Sequence, residues 1–244
     1  SAKTHDMMKE IHNMKTKILA CTLAMALLVL TGCAHSAPEP SQDTSAPDTN
    51  APAETPAAEG KTLSPLPTGI DPAHLEDCTV AVSFEQGDAY VDDTGAMQLK
   101  VMVYDYDLYD MADVSALQVG DKITFCQEDV EVTSLEREDD GTVVINGGLD
   151  NGGIELVSND STAFYASGFD DLKQYYELGE ATVPVSADEF TFEDASDLDS
   201  DPVTYYPGDL LTEDSEFEYN FTPNNTTLTV RGGYAVHLER VYNP

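Results

Sequence analysis

Met97-Gln98-Leu99-Lys100-Val101-Met102-Val103 sets an apolar side chain at every second position, with Gln98, Lys100 and Met102 between them. A period of two belongs to a strand that buries one face and wets the other. The alternation recurs on both sides of this stretch. Upstream, Val80, Val82 and Phe84 alternate with Thr79, Ala81 and Ser83. Downstream come Val130 and Val132, Thr142 to Ile145, Phe190 and Phe192, Leu228 and Val230, and Val236 and Leu238. Turn residues punctuate these runs: Asp92-Asp93-Thr94-Gly95, Asp139-Asp140-Gly141, Pro223-Asn224-Asn225 and Arg231-Gly232-Gly233. Each can reverse the chain between neighbouring strands. Asn146-Gly147-Gly148 and Asn151-Gly152-Gly153 bracket Leu149-Asp150 in a tight connection. The expected fold is mainly β, an antiparallel β-sandwich or small open barrel with one or two short helices.

The helices are expected at two places. Asp170 suits the N-cap of a helix over Asp171–Leu178, with Leu172, Tyr175 and Tyr176 on one face and Gly179 as its stop. A shorter helical turn is expected over Asp113–Leu117, before Gln118-Val119-Gly120-Asp121 leads into the strand Lys122–Cys126.

Ahead of this domain the composition changes twice. Residues 33–70 are rich in Pro, Ala, Ser and Thr and have little to bury, so they are expected to form a disordered linker. Before the linker, Met14-Lys15-Thr16-Lys17 is a short positive segment, followed by an apolar run from Ile18 to Leu30. That run is too short to cross a bilayer, which takes roughly 20 helical residues, but it fits the core of a secretory signal. Leu30-Thr31-Gly32-Cys33 then resembles the lipobox of bacterial prolipoproteins. The resemblance implies a signal peptide over 14–32, cleavage between Gly32 and Cys33, and a diacylglyceryl group on the Cys33 thiol, with palmitate-type chains as the anchor. Two acyl chains are what stable membrane attachment requires. The domain at 71–244 would then face the extracytoplasmic side of the cell membrane. Residues 1–13 fit no part of this scheme and are expected to be an upstream leader.

The chain has 11 Lys and Arg against 46 Asp and Glu, a formal charge of −35. Four of the basic and two of the acidic residues precede Cys33, leaving 7 against 44 from Cys33 onward, net −37. Such a surface repels phosphate backbones and excludes nucleic acid as a partner. A protein, peptide or glycan ligand remains open.

Chemistry-bearing residues are sparse. Cys78 and Cys126 both fall on expected strands in an oxidising-permissive compartment, where a disulfide and two separate thiols are both open. His74 and His237 sit in no metal-ligand spacing, and Ser167 has no identifiable histidine partner. Acid clusters stand out instead. Asp194, Asp197, Asp199 and Asp201 crowd one loop, and Asp105, Asp107 and Asp110 another. Spaced carboxylates can bind Ca²⁺, although Pro202 and Gly208 stand where an EF-hand loop needs glycine and glutamate. Tyrosines at 104, 106, 109, 175, 176, 205 and 206 suit core and rim positions. The expected function is a non-catalytic, membrane-anchored binding module without a cofactor. Two alternatives stand beside it: a glycan hydrolase using paired carboxylates and a calcium-binding surface domain. A solute-binding lipoprotein would need two α/β lobes, which this strand-rich domain lacks.

Overall fold

The computed structural model describes residues 60–159, 162–169, 172–212 and 217–243. Gly32 and Cys33, on which the lipobox expectation falls, lie outside them. Among the described residues the protein is mainly β, with sheets curled into a half-barrel, one short helix and two 3-10 turns. Among the described residues no helix is long and apolar enough to cross a membrane.

Strands β1 (Thr62–Leu63), β2 (Cys78–Ser83), β3 (Ala89–Val91), β4 (Met97–Tyr106) and β5 (Leu108–Asp110) precede helix α1 (Met111–Ala116). After it come β6 (Lys122–Phe125), β7 (Glu128–Glu131), β8 (Leu135–Arg137), β9 (Val143–Ile145), β10 (Ile154–Asn159) and β11 (Ala163–Ser167). The chain continues through β12 (Tyr175–Pro184), β13 (Thr191–Ala195), β14 (Val203–Tyr205), β15 (Thr226–Arg231) and β16 (Tyr234–Val241). The large sheet runs β12-β4-β2-β15-β16-β13-β14, with β3 also paired to β4. A five-stranded sheet runs β5-β11-β10-β9-β8, and a small sheet β1-β6-β7. Most pairings are antiparallel, as expected; β1 with β6 and β13 with β16 are parallel.

Alternation along β4 organises the larger core. Leu99, Val101 and Val103 are all buried and meet Val80, Val82, Ala181, Val183, Phe192 and Leu228 from neighbouring strands. Phe84, Phe217 and Phe221 close over them, with Phe84 and Phe221 stacked at 4.0 Å between ring centroids. A second core gathers Leu63, Tyr109, Ile123, Val132, Ile145, Leu156 and Phe164 beneath α1. Asp110 caps that helix, accepting the Ala112 N–H at 2.8 Å, so it starts earlier than the expected Asp113. Arg137 donates to the Val114, Ser115 and Leu117 carbonyls at its other end.

Two expectations are corrected. The helix over Asp171–Leu178 does not form. Asp170 and Asp171 lie outside the described residues, and Tyr175 to Pro184 form β12, paired along β4. A register shift between Glu177 and Gly179 breaks the alternation there, and a bulge of this kind leaves apolar residues at helix-like offsets. Gly179, read as a helix stop, belongs to this bulge with φ +148°. The second correction concerns the linker, whose last part is folded. Gly60 approaches the Gly120 carbonyl so closely that a Cβ would lie 2.0 Å from its oxygen. Thr62 and Leu63 then pair with Lys122 and Ile123, and Leu63 is buried in the second core. Farther along, the Leu66 N–H donates to the Leu108 carbonyl at 2.6 Å and the Thr68 hydroxyl to Asp105. Residues 60–70 therefore belong to the head, because two or three well-placed contacts decide their state more than average composition does.

Candidate functional site

At one end of the large sheet three chain reversals converge. The β3–β4 turn is built on Asp92, whose carboxylate accepts from the Thr94 N–H (2.9 Å), the Thr94 hydroxyl (2.6 Å), the Ala96 N–H (3.0 Å) and the Gln98 amide (2.8 Å). The Thr94 and Gln98 side-chain bonds lead in holding its pKa down at about 2. The β15–β16 hairpin turns through Gly232 and Gly233, both at positive φ, which sets Arg231 opposite Tyr234. Asp77 fixes that turn by accepting the Gly232 N–H at 2.9 Å. Between the two turns, the exit of β12 is held by Val185 N–H to the Met97 carbonyl and Ser186 N–H to the Ala235 carbonyl.

These reversals enclose a groove of about 590 Å³. Met97, Pro184, Val185 and Val236 give it an aliphatic lining, while Glu189, Arg231 and Tyr234 line it with charge and an aromatic ring. Tyr234 is half exposed. Among the described residues Arg231 has no ion-pair partner, whereas Lys100 is paired with Glu180 and Arg240 with Asp194. The groove thus offers apolar surface beside an uncommitted guanidinium, and that suits binding. No sequence motif announces it, since its walls come from segments around 95, 185 and 231–236. The turn signals at Asp92-Gly95 and Arg231-Gly233 mark its parts without showing that they meet.

The four aspartates singled out in the sequence do not act as one set. Asp194 is committed to Arg240, accepting from Nε at 2.9 Å and from the terminal nitrogen beside it. Arg240 also donates to the Glu218 carbonyl and to Asn220 Oδ1, and lies 4.8 Å from the Phe221 ring centroid. Burial would raise the Asp194 pKa, but the Arg240 and Ser196 hydrogen bonds and the Arg240 charge together outweigh it and the net shift is downward. Asp197 accepts from the Asp199 N–H at 3.0 Å and the Ser200 hydroxyl at 2.8 Å, which lower its pKa. Asp199 and Asp201 are exposed. Among the described residues no group of three or more His, Cys, Asp or Glu is arranged to hold a metal ion.

The other acid cluster splits. Asp110 serves the helix cap, while Asp105 and Asp107 are buried, at 6% and 2% exposure. The signal for this was present in the sequence: Leu99, Val101, Val103, Asp105, Asp107 and Tyr109 continue one unbroken period of two, and all six point inward. Cys78 lies on β2 beside the larger core and Cys126 in the β6–β7 turn, both as free thiols. Burial raises both thiol pKa values, that of Cys126 to about 11. His237 Nδ1 pairs with the Thr191 hydroxyl at 3.0 Å, and Ser167 donates to the Gly168 carbonyl.

No family model matches the chain, and no curated protein or solved structure is significantly similar to it.

Proposed function

We propose that this chain is a lipid-tethered extracytoplasmic binding module whose groove takes an apolar segment of a peptide or protein partner. The observation that carries the binding role is the groove, with its aliphatic lining beside the unpaired Arg231. An aliphatic lining suits Leu- or Val-like side chains, each contributing about 1.5–3 kcal/mol on full burial. Met97 can adapt its shape to different occupants. Arg231 and Glu189 supply a donor fork and an acceptor for peptide carbonyls and N–H groups. A glycan is favoured less, because Tyr234 is the one aromatic ring in the lining. Self-association is disfavoured by the net charge of −37 carried from Cys33 onward by each copy. The tether rests on the resemblance of Leu30-Thr31-Gly32-Cys33 to a lipobox.

Hydrolysis by paired carboxylates finds less support. Asp105 and Asp107 come together and Asp107 has a raised pKa, but both are buried and hydrogen-bonded within the protein.

Methyl NMR of the full chain in detergent tests the groove, with leucine-rich peptides and neutral oligosaccharides as probes. Peptides should shift the Met97, Val185 and Val236 methyls, and Tyr234→Ala or Arg231→Gln should weaken binding about tenfold, or ~1.4 kcal/mol. Shifts produced by oligosaccharides alone would replace the peptide reading with a glycan one, and shifts scattered elsewhere would end the groove reading. The tether is tested separately: labelled palmitate should enter the protein, and Cys33→Ser should release it from the membrane fraction.

A further inference from the structure

Asp107 is the single residue between β4 and β5, where the chain leaves the large sheet for the five-stranded one. Its Oδ2 accepts the Cys126 N–H at 2.7 Å, which ties it to the β6–β7 turn of the small sheet. The Tyr109 hydroxyl of β5 lies 3.3 Å away, and the Tyr176 hydroxyl of β12 also donates to this carboxylate. One side chain therefore touches elements of all three sheets. It is 2% exposed, and among the described residues no Lys, Arg or His forms an ion pair with it. Lys173 is spent elsewhere, over the Tyr106 ring at 4.1 Å from its centroid.

Among the described residues the groups facing Asp107 are anionic or neutral. From β4 comes Asp105, which accepts from the Thr68 hydroxyl and the Tyr106 N–H. From β5 and β12 come Tyr109 and Tyr176, and from the β6–β7 turn Cys126, with Glu128 beyond it. The Tyr109 hydroxyl has one proton, and its shorter contact is with the Thr124 carbonyl at 2.8 Å. Its oxygen lone pairs are then left towards Asp107 as an acceptor for a carboxylic proton. The site can house the neutral acid as well as the carboxylate.

We propose that Asp107 is a proton-operated lock at the meeting point of the three sheets: protonated it fastens them, and ionised as pH rises it loosens them. An unpaired buried carboxylate is costly, while its protonated form is not. In agreement, burial, with the Asp105 charge as a smaller aid, outweighs the Cys126, Tyr109 and Tyr176 groups that favour the carboxylate, and the Asp107 pKa is raised in the folded protein. The folded state then binds the proton more tightly than the unfolded chain, where the value is near 3.9. The stability contributed by protonation is fully present below the unfolded value and is lost as pH rises through the folded one.

Hydrogen exchange at the Cys126 N–H reads the lock directly. Corrected for intrinsic rates, its protection should fall as pH rises from about pH 3.5, below the unfolded value, to pH 7.5 in the wild-type chain, and Asp107→Asn should flatten the profile. Asp105→Asn should keep the slope and move its midpoint down. Equal wild-type protection at both pH values, or an Asp107→Asn profile like the wild type, would overturn the lock. Should Asp107→Asn not fold, carboxyl NMR of the wild-type chain decides: a midpoint above ~3.9 supports the lock, and one at or below it overturns it.

Discussion

Replacing Asp194 by alanine should be among the most damaging single changes in the larger core. Arg240 is 2% exposed, and its guanidinium lies against Phe192, Phe217 and Phe221. Among the described residues Asp194 is its one ion-pair partner, through two hydrogen bonds. Without it a buried cation is left unpaired, at a cost of about 3–5 kcal/mol. Against a total stability of about 5–15 kcal/mol for an ordinary domain, that is a large share. Removing both charges by Asp194→Leu with Arg240→Met should cost far less, about 1–2 kcal/mol. Glu218 and Asn220, which lose Arg240 as donor, are exposed and can turn to water. Urea unfolding near pH 7 gives both values and the coupling between them. The lowered Asp194 pKa also sets a sign: this stability is present above the unfolded value of ~3.9 and is lost as pH falls through the folded one. The gap between wild type and Asp194→Ala should therefore narrow in acid. The reasoning fails if the single replacement costs under ~1 kcal/mol, as a surface pair would, or if the double costs as much as the single.

Leu63→Ala should destabilise the second core by about 2–5 kcal/mol in the same assay, although Leu63 lies in the proline-rich stretch. Gly60→Val should detach the segment around β1 by collision with the Gly120 carbonyl, and limited proteolysis should then cut near residue 60 more readily. Alkylation of the unreduced, denatured chain should label both Cys78 and Cys126, and the mass should not change further when reductant is added first.

Much of the fold was legible from side-chain period. Leu99, Val101 and Val103 identified the inward face of β4, and the glycine and aspartate turns identified its neighbours. β12 was misread because its aromatic pair Tyr175-Tyr176 and the bulge before Gly179 imitate helical spacing; its pairing with β4 is a tertiary fact. Asp105 and Asp107 were read as a loop because acids rarely occupy core positions, yet their alternation with Val103 and Tyr109 placed them correctly. Arg240 and Asp194 are 46 residues apart, and the groove's walls are drawn from segments scattered between residues 95 and 236, so neither could be read locally. The acid groupings announced by sequence spacing proved less informative than single acids with single partners.

The way the chain enters the head has a mechanical consequence. A pull from the residues before Gly60 reaches first the Lys61 N–H bond to Asp121, the Lys122 N–H bond to the Lys61 carbonyl and the two-residue β1–β6 pairing. The long ladders of the large sheet, which carry the groove, are loaded only after these contacts give way. Force would peel the rim of the small sheet first.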